Sequence, residues 1–174
     1  MAQLSAPPKV QSANPIAPTT SIGHVHLKVA NIDRALGFYH DVLGFDIVVR
    51  MGNSAAFLSA GGYHHHIGLN TWDSLGGESP PPGTTGLYHL AILYRRREEL
   101  ADAVRRLMRA GIPIGGASDH GVSEAIYLDD PDGNGVELYW DRPREDWPLD
   151  ADGNVTMGTK RLDTEGLLAL PELS

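Results

Sequence analysis

The sequence predicts an α+β fold in which two βαβββ modules form one open barrel-like sheet with the helices outside. Three observations carry this. "HVHLKVA" and "LYHLAILY" alternate apolar and polar residues with the period of two that marks a half-buried strand. Each is followed by an amphipathic helical stretch and then by a hairpin pattern. His24 and His89 hold matching places in the two copies, 65 residues apart. One such module buries a single side of its sheet; two can curl together and leave a cleft inside.

Residues 1–20, "MAQLSAPPKVQSANPIAPTT", are rich in proline and small polar residues and read as a flexible arm without a signal-peptide core. A domain is expected over 21–147, with modules at about 22–70 and 86–141. In the first strand Val25, Leu27 and Val29 share one face, and His24, His26 and Lys28 the other. "NIDRALGFYHDVLGF" follows as a helix, capped by Asn31 or Asp33 and stopped by Gly44. "FDIVVR" reads as a strand, and "SAAFLSAGGYHHHIGLN" as a hairpin turning at Gly61-Gly62. Residues 71–85 form a Pro/Gly-rich linker.

The second copy opens with His89, Ala91 and Leu93 opposite Leu90, Ile92 and Tyr94. "REELADAVRRLMRAG" is an amphipathic helix with Leu100, Val104, Leu107 and Met108 on one stripe and Gly111 ending it. A short strand is expected near Ile112–Ile114, then a hairpin, "EAIYLDDPDGNGVELYW", turning through Pro131–Gly135. The tail, 148–174, lies outside both copies and could lid the cleft or clasp a second subunit, so a homo-oligomer is expected.

Composition narrows the function. A net charge of −8 argues against nucleic acid as a partner. Arg95, Arg96 and Arg97 read as a solvated helix start. There is no cysteine, which excludes disulfides, thiolate metal sites and thiol nucleophiles, so a metal must be held by imidazole and carboxylate. No run reaches membrane-spanning length, and a cytoplasmic protein without a membrane partner is the expectation.

The paired modules, with "HVHLKVANIDRALGFYHDVLGF" and "DPDGNGVELYWDRP", resemble the vicinal oxygen chelate superfamily over roughly Ile22 to Trp147. That group includes glyoxalase I, methylmalonyl-CoA epimerase, fosfomycin-resistance proteins, bleomycin-binding proteins and extradiol dioxygenases. The fold alone does not choose among them.

The residues that could carry chemistry are His24, His89 and Glu137, the last a strand carboxylate costly to bury without a partner. Two histidines and one carboxylate on rigid strands make a facial triad with open positions suited to non-haem Fe(II). Superimposing the hairpins without gaps, at an offset of 70, pairs Glu137 with Ile67. Isoleucine cannot ligate, so three protein ligands are expected, which disfavours the four-ligand chemistries. Strand alternation then turns Ile67 and His65 into the cleft and His64 and His66 outward. His65 would stand as an acid/base beside the metal.

Here the likeness sharpens: "YHHHIGLNTW" and "DPDGNGVELYWDRP" resemble type I extradiol dioxygenases, in particular catechol 2,3-dioxygenase-type members of the one-domain branch. The resemblance implies Fe(II) held by His24, His89 and Glu137, and a catalytic histidine matching His65 in "HHIGL". It also implies a tyrosine ten residues before the ligand glutamate, matching Tyr127, and an upstream histidine for which His120 is the candidate. Its substrates are a small aromatic diol and O2. His26 shares the cleft-facing alternation, as a substrate contact or a polar lining residue. The rivals are a three-ligand thiol transferase of the fosfomycin-resistance kind, using Mn(II), and a metal-free binding protein.

Overall fold

The computed structural model describes residues 12–173. Residues 1–11 of the expected arm lie outside the described residues; 12–20 are exposed chain and turns. The first module runs β1 (Val25–Lys28), α1 (Ile32–Leu36, continuing as a wider π turn over Gly37–Val42), β2 (Asp46–Met51), β3 (Ala55–Ser59) and β4 (Ile67–Asn70). The second runs β5 (Leu90–Tyr94), α2 (Arg97–Arg109), β6 (Gly116–Asp119), β7 (Ser123–Asp129) and β8 (Gly135–Asp141). Both are therefore βαβββ, and in each the first strand lies parallel to the last, β1 on β4 and β5 on β8. The described strands form two sheets, β1-β4-β3-β2 and β5-β8-β7-β6 with a further strand β9 (Lys160–Arg161) on the β6 edge, without closure into a barrel.

Local chemistry explains the helices. The Asn31 side chain accepts from the Arg34 N–H at 2.9 Å and caps α1, while Ile32, Ala35, Leu36, Phe38 and Tyr39 are buried. In α2 the Glu99 carboxylate accepts from the Arg95 and Arg96 N–H groups, both at 3.1 Å. Leu100, Val104 and Leu107 form its buried stripe, and each full burial contributes about 1.5–3 kcal/mol. Met108 departs from expectation and is exposed: it lies at the edge of that stripe, about 100° around the helix from Leu107. The strand expected at Ile112–Ile114 is absent. Gly111 turns the chain through φ +67°, Pro113 has no N–H for a ladder, and pairing begins at Gly116.

Of the arginine run, Arg97 is not simply solvated. It donates at 2.7 Å to Glu124, a side chain only 4% exposed, which Arg142 also reaches at 2.9 Å. Two guanidinium partners are what such a desolvated carboxylate requires.

A single buried cluster runs through both modules. The turn of the second hairpin bridges them: the Asp132 carboxylate accepts from the Ala30 N–H at 2.8 Å and from Arg34 at 2.6 Å, and Tyr39 donates to Asp130 at 2.9 Å. Burial pushes the Tyr39 hydroxyl's pKa up, followed in weight by the Asp130 charge, so it stays a donor.

Beyond residue 147 the tail packs in part against the second module. It adds β9 (Lys160–Arg161) to the edge of β6, then α3 (Thr164–Leu168) packs on α2 with Leu162 and Leu167 buried. Arg105 donates to the Leu168 and Leu170 carbonyls.

Candidate metal centre and active site

β5 and β8 set the second half of the site. Their parallel register pairs Ala91 with Glu137, and β7 pairs Tyr127 with Glu137. Strand alternation therefore puts His89, Tyr127 and Glu137 on one face, while Val136 and Leu138 are buried on the other. His89 Nε2 stands 2.9 Å from Glu137 Oε2, and the Tyr127 hydroxyl donates to Glu137 Oε1 at 3.0 Å. His120 Nε2 is 2.8 Å from the same hydroxyl, and its Nδ1 lies 2.8 Å from the Gly158 carbonyl. The tail thus orients His120, which the sequence left without a register. Burial, then the hydrogen bond to Glu137, pushes the Tyr127 pKa up to about 12.

Gly135 allows this packing. A Cβ there would fall 2.1 Å from the Tyr88 carbonyl oxygen and 3.1 Å from the His89 Cβ. Tyr88, His89, His120 and Tyr127 line a cavity of about 470 Å³, within the range of small-molecule sites.

The first half lies on the other sheet. His24 and His26 sit on the exposed side of β1, with Leu27 and Val29 buried beneath. The His26 ring packs against Phe57 at 5.7 Å and Trp72 at 5.4 Å between centroids. The His65 ring lies 4.4 Å from His24 and 5.1 Å from Phe57. Desolvation, then repulsion from His24 and His64, pulls the His65 pKa down.

The register corrects the alignment used on the sequence. Phe57 pairs with Gly68 as Tyr127 pairs with Glu137, so the counterpart of Glu137 is Gly68. Ile67 matches Val136 instead, and both are buried, 2% and 1% exposed. No ligating side chain stands at that place, as expected, but because it is glycine. A Cβ on Gly68 would meet the His26 ring at 3.0 Å.

The histidine run also differs. β4 begins only at Ile67, and the chain bends at His64 and His66, so strict alternation does not govern 64–66. His64 is not turned away: its Nδ1 is 2.7 Å from that of His65, and its ring lies 6.3 Å from His24. His66 Nδ1 instead reaches the Ser59 hydroxyl and the Ala60 N–H, both at 3.3 Å.

The structure thus brings His89, Glu137, Tyr127 and His120 together and groups His24 with His65. Among the described residues, no three His, Asp or Glu side chains stand where they could hold one metal ion. The donor chemistry of His89 and Glu137 nevertheless fits a cation. The Glu137 side chain is 13% exposed, and among the described residues no arginine or lysine pairs with it. Sequence reasoning missed Gly68, Gly135 and the Gly158 carbonyl; only the "GNG" before β8 hinted at close backbone approach.

A family model described as Glyoxalase/Bleomycin resistance protein/Dioxygenase superfamily matches residues 21–138. The chain belongs to this superfamily. It is 45% identical over 149 residues to a catechol-2,3-dioxygenase of Bacillus subtilis (strain 168), covering 86% of this chain and 51% of that protein. It is 33% identical over 125 residues to biphenyl-2,3-diol 1,2-dioxygenase 3 of Rhodococcus globerulus, covering 71% of this chain and 64% of that one. The chain thus spans half to two thirds of the length of these curated relatives. A glyoxalase/dioxygenase structure from Nostoc punctiforme superimposes with a TM-score of 0.59 at 20% identity, covering 76% of this chain and 100% of the other. That likeness shows the superfamily fold alone. Among the described residues no helix is long and apolar enough to cross a membrane.

Proposed function

We propose that this chain is an extradiol dioxygenase that opens the ring of a catechol-type diol with O2, with Fe(II) held by His24, His89 and Glu137. The observation that carries it is the continuous polar chain from His89 through Glu137 and Tyr127 to His120, of which His89, Tyr127 and His120 line one cavity. The likeness to a catechol-2,3-dioxygenase and a biphenyl-2,3-diol 1,2-dioxygenase supports the same reaction class.

When bound, the divalent metal supplies open positions where the diol oxygens and dioxygen meet. The remaining work belongs to the chain. The Gly158 carbonyl can only accept, so His120 Nδ1 carries a proton. With one proton on the ring, Nε2 is an acceptor, and Tyr127 donates either to it or to Glu137. With two protons, His120 donates to Tyr127 and Tyr127 donates to Glu137, and every partner is satisfied. This pair can therefore hold a proton beside the substrate and release it. His65 is the second proton carrier, taking a hydroxyl proton from the diol and returning it later. His26, Phe57 and Trp72 supply flat surfaces for the aromatic ring.

Protein purified without oxygen and loaded with Fe(II) should turn a catechol yellow while consuming O2. No change across a broad catechol panel sinks the enzyme reading. Metal binding without O2 uptake would favour the thiol-transferase rival, and diol binding without metal the binding-protein rival. Loading with Mn(II) instead decides between the two ions. Cell fractionation tests the cytoplasmic location.

A further inference from the structure

We infer that His64 sets the tautomer of His65: His65 donates from Nδ1 to His64 Nδ1, and its own Nε2 carries no proton. The contact leaves few choices. The two Nδ1 atoms lie 2.7 Å apart. Two bare lone pairs repel at that distance, and so do two N–H groups, so one ring donates and the other accepts. On a neutral imidazole the hydrogen bond at one nitrogen decides the state of the other. The ring that donates here is bare at Nε2, and the ring that accepts is protonated there.

The surroundings choose the donor. The accepting ring needs a partner for its Nε2–H. His64 is exposed, so water serves there. His65 is half-buried, with its ring 4.4 Å from His24 and 5.1 Å from Phe57 between centroids. Among the described residues its ring makes no hydrogen bond other than the one to His64. Orphaned N–H groups are rarer in folded proteins than under-satisfied acceptors, so the bare Nε2 belongs to His65.

The rest of the histidine run holds the pair in place. Tyr63 stacks on His64 at 4.1 Å and on His66 at 4.9 Å between centroids. His66 in turn is tied to Ser59 and Ala60 at the end of β3. Gly23 leaves room for the Tyr63 hydroxyl, which a Cβ there would meet at 3.1 Å. His64 is thus a positioning residue that acts through His65. Its consequence for catalysis rests on the function proposed above. A base must offer a bare nitrogen to the hydroxyl it deprotonates, and His65 offers one at Nε2 before the diol arrives. The tautomer itself does not rest on that reading.

Isotope-labelled full chain without metal tests the tautomer directly. At a pH where the imidazoles are neutral, long-range proton–nitrogen NMR correlations tell Nδ1–H from Nε2–H. His65 should be protonated at Nδ1 and His64 at Nε2. His64→Leu removes the acceptor, and His65 should change to Nε2–H. His64→Asn places an amide oxygen within reach and should restore Nδ1–H. An Nε2-protonated His65 in wild type, or an Nδ1-protonated one in His64→Leu, overturns the inference. With Fe(II) and a catechol, His64→Leu should keep its KM and bound metal and lose about 10–100-fold in kcat, the usual cost of an outer-shell partner. His64→Asn should recover most of that loss. Full kcat in His64→Leu overturns the positioning role. If no catechol is opened although His65 holds Nδ1–H, the dioxygenase reading fails and the tautomer stands.

Discussion

The two modules share one architecture and carry different chemistry on corresponding faces. His24 answers to His89, Phe57 to Tyr127, and Gly68 to Glu137. The last two differences belong together. In the second module the Tyr127 hydroxyl donates to the carboxylate across from it. In the first, the position across from Phe57 is glycine, so a hydroxyl would have no acceptor there, and the His26 ring fills the space instead. A duplicated scaffold can thus keep its register while one copy specialises in anionic, hydrogen-bonded chemistry and the other in imidazoles and flat surfaces.

The largest test of this contrast removes the feature that only the second module has. Glu137→Ala should lose bound metal by more than the 10–100-fold typical of outer-shell partners, and turnover with it. Undiminished metal, measured by elemental analysis, would break the contrast. His65→Phe asks the opposite of the first module. It should retain metal while kcat falls by roughly 10²–10⁴-fold, the usual share of a general acid/base. Normal turnover would move the proton carrier elsewhere.

Two glycines offer a finer comparison. Gly135→Ala drives a Cβ against backbone at Tyr88 and should cost about 1–3 kcal/mol in urea unfolding. Gly68→Ala meets only the side of the exposed His26 ring, which can swing away, so its cost should be smaller. Equal costs would mean that both faces are equally rigid.

The smallest expected effect is spectroscopic. The difference between wild type and Tyr127→Phe in phenolate absorbance should show one group ionising near pH 12 rather than near 10. The folded state keeps this proton longer than the unfolded chain does. Its contribution to stability is therefore complete below the unfolded value near 10 and disappears as pH rises through about 12. Ionisation near 10 would mean that the hydroxyl is neither desolvated nor bonded to Glu137.

Much of this molecule could be read from its residues alone. The alternation in "HVHLKVA" and "LYHLAILY", the caps and the stripe of α2 arise from local sequence periodicity, and strands and helices formed where that periodicity lies. The composition confined any metal to imidazole and carboxylate ligands before any fold was considered. Strand register was a different matter. The first hairpin carries one more residue between paired positions than the second, which an ungapped superposition cannot register, and so Ile67 stood where Gly68 belongs. The histidine run defeated alternation because the backbone bends before β4 begins. Whether distant ligands meet was decided only in three dimensions. Periodicity orients a side chain relative to its own strand, but the separation of two sheets depends on how helices, turns and the tail pack between and behind them.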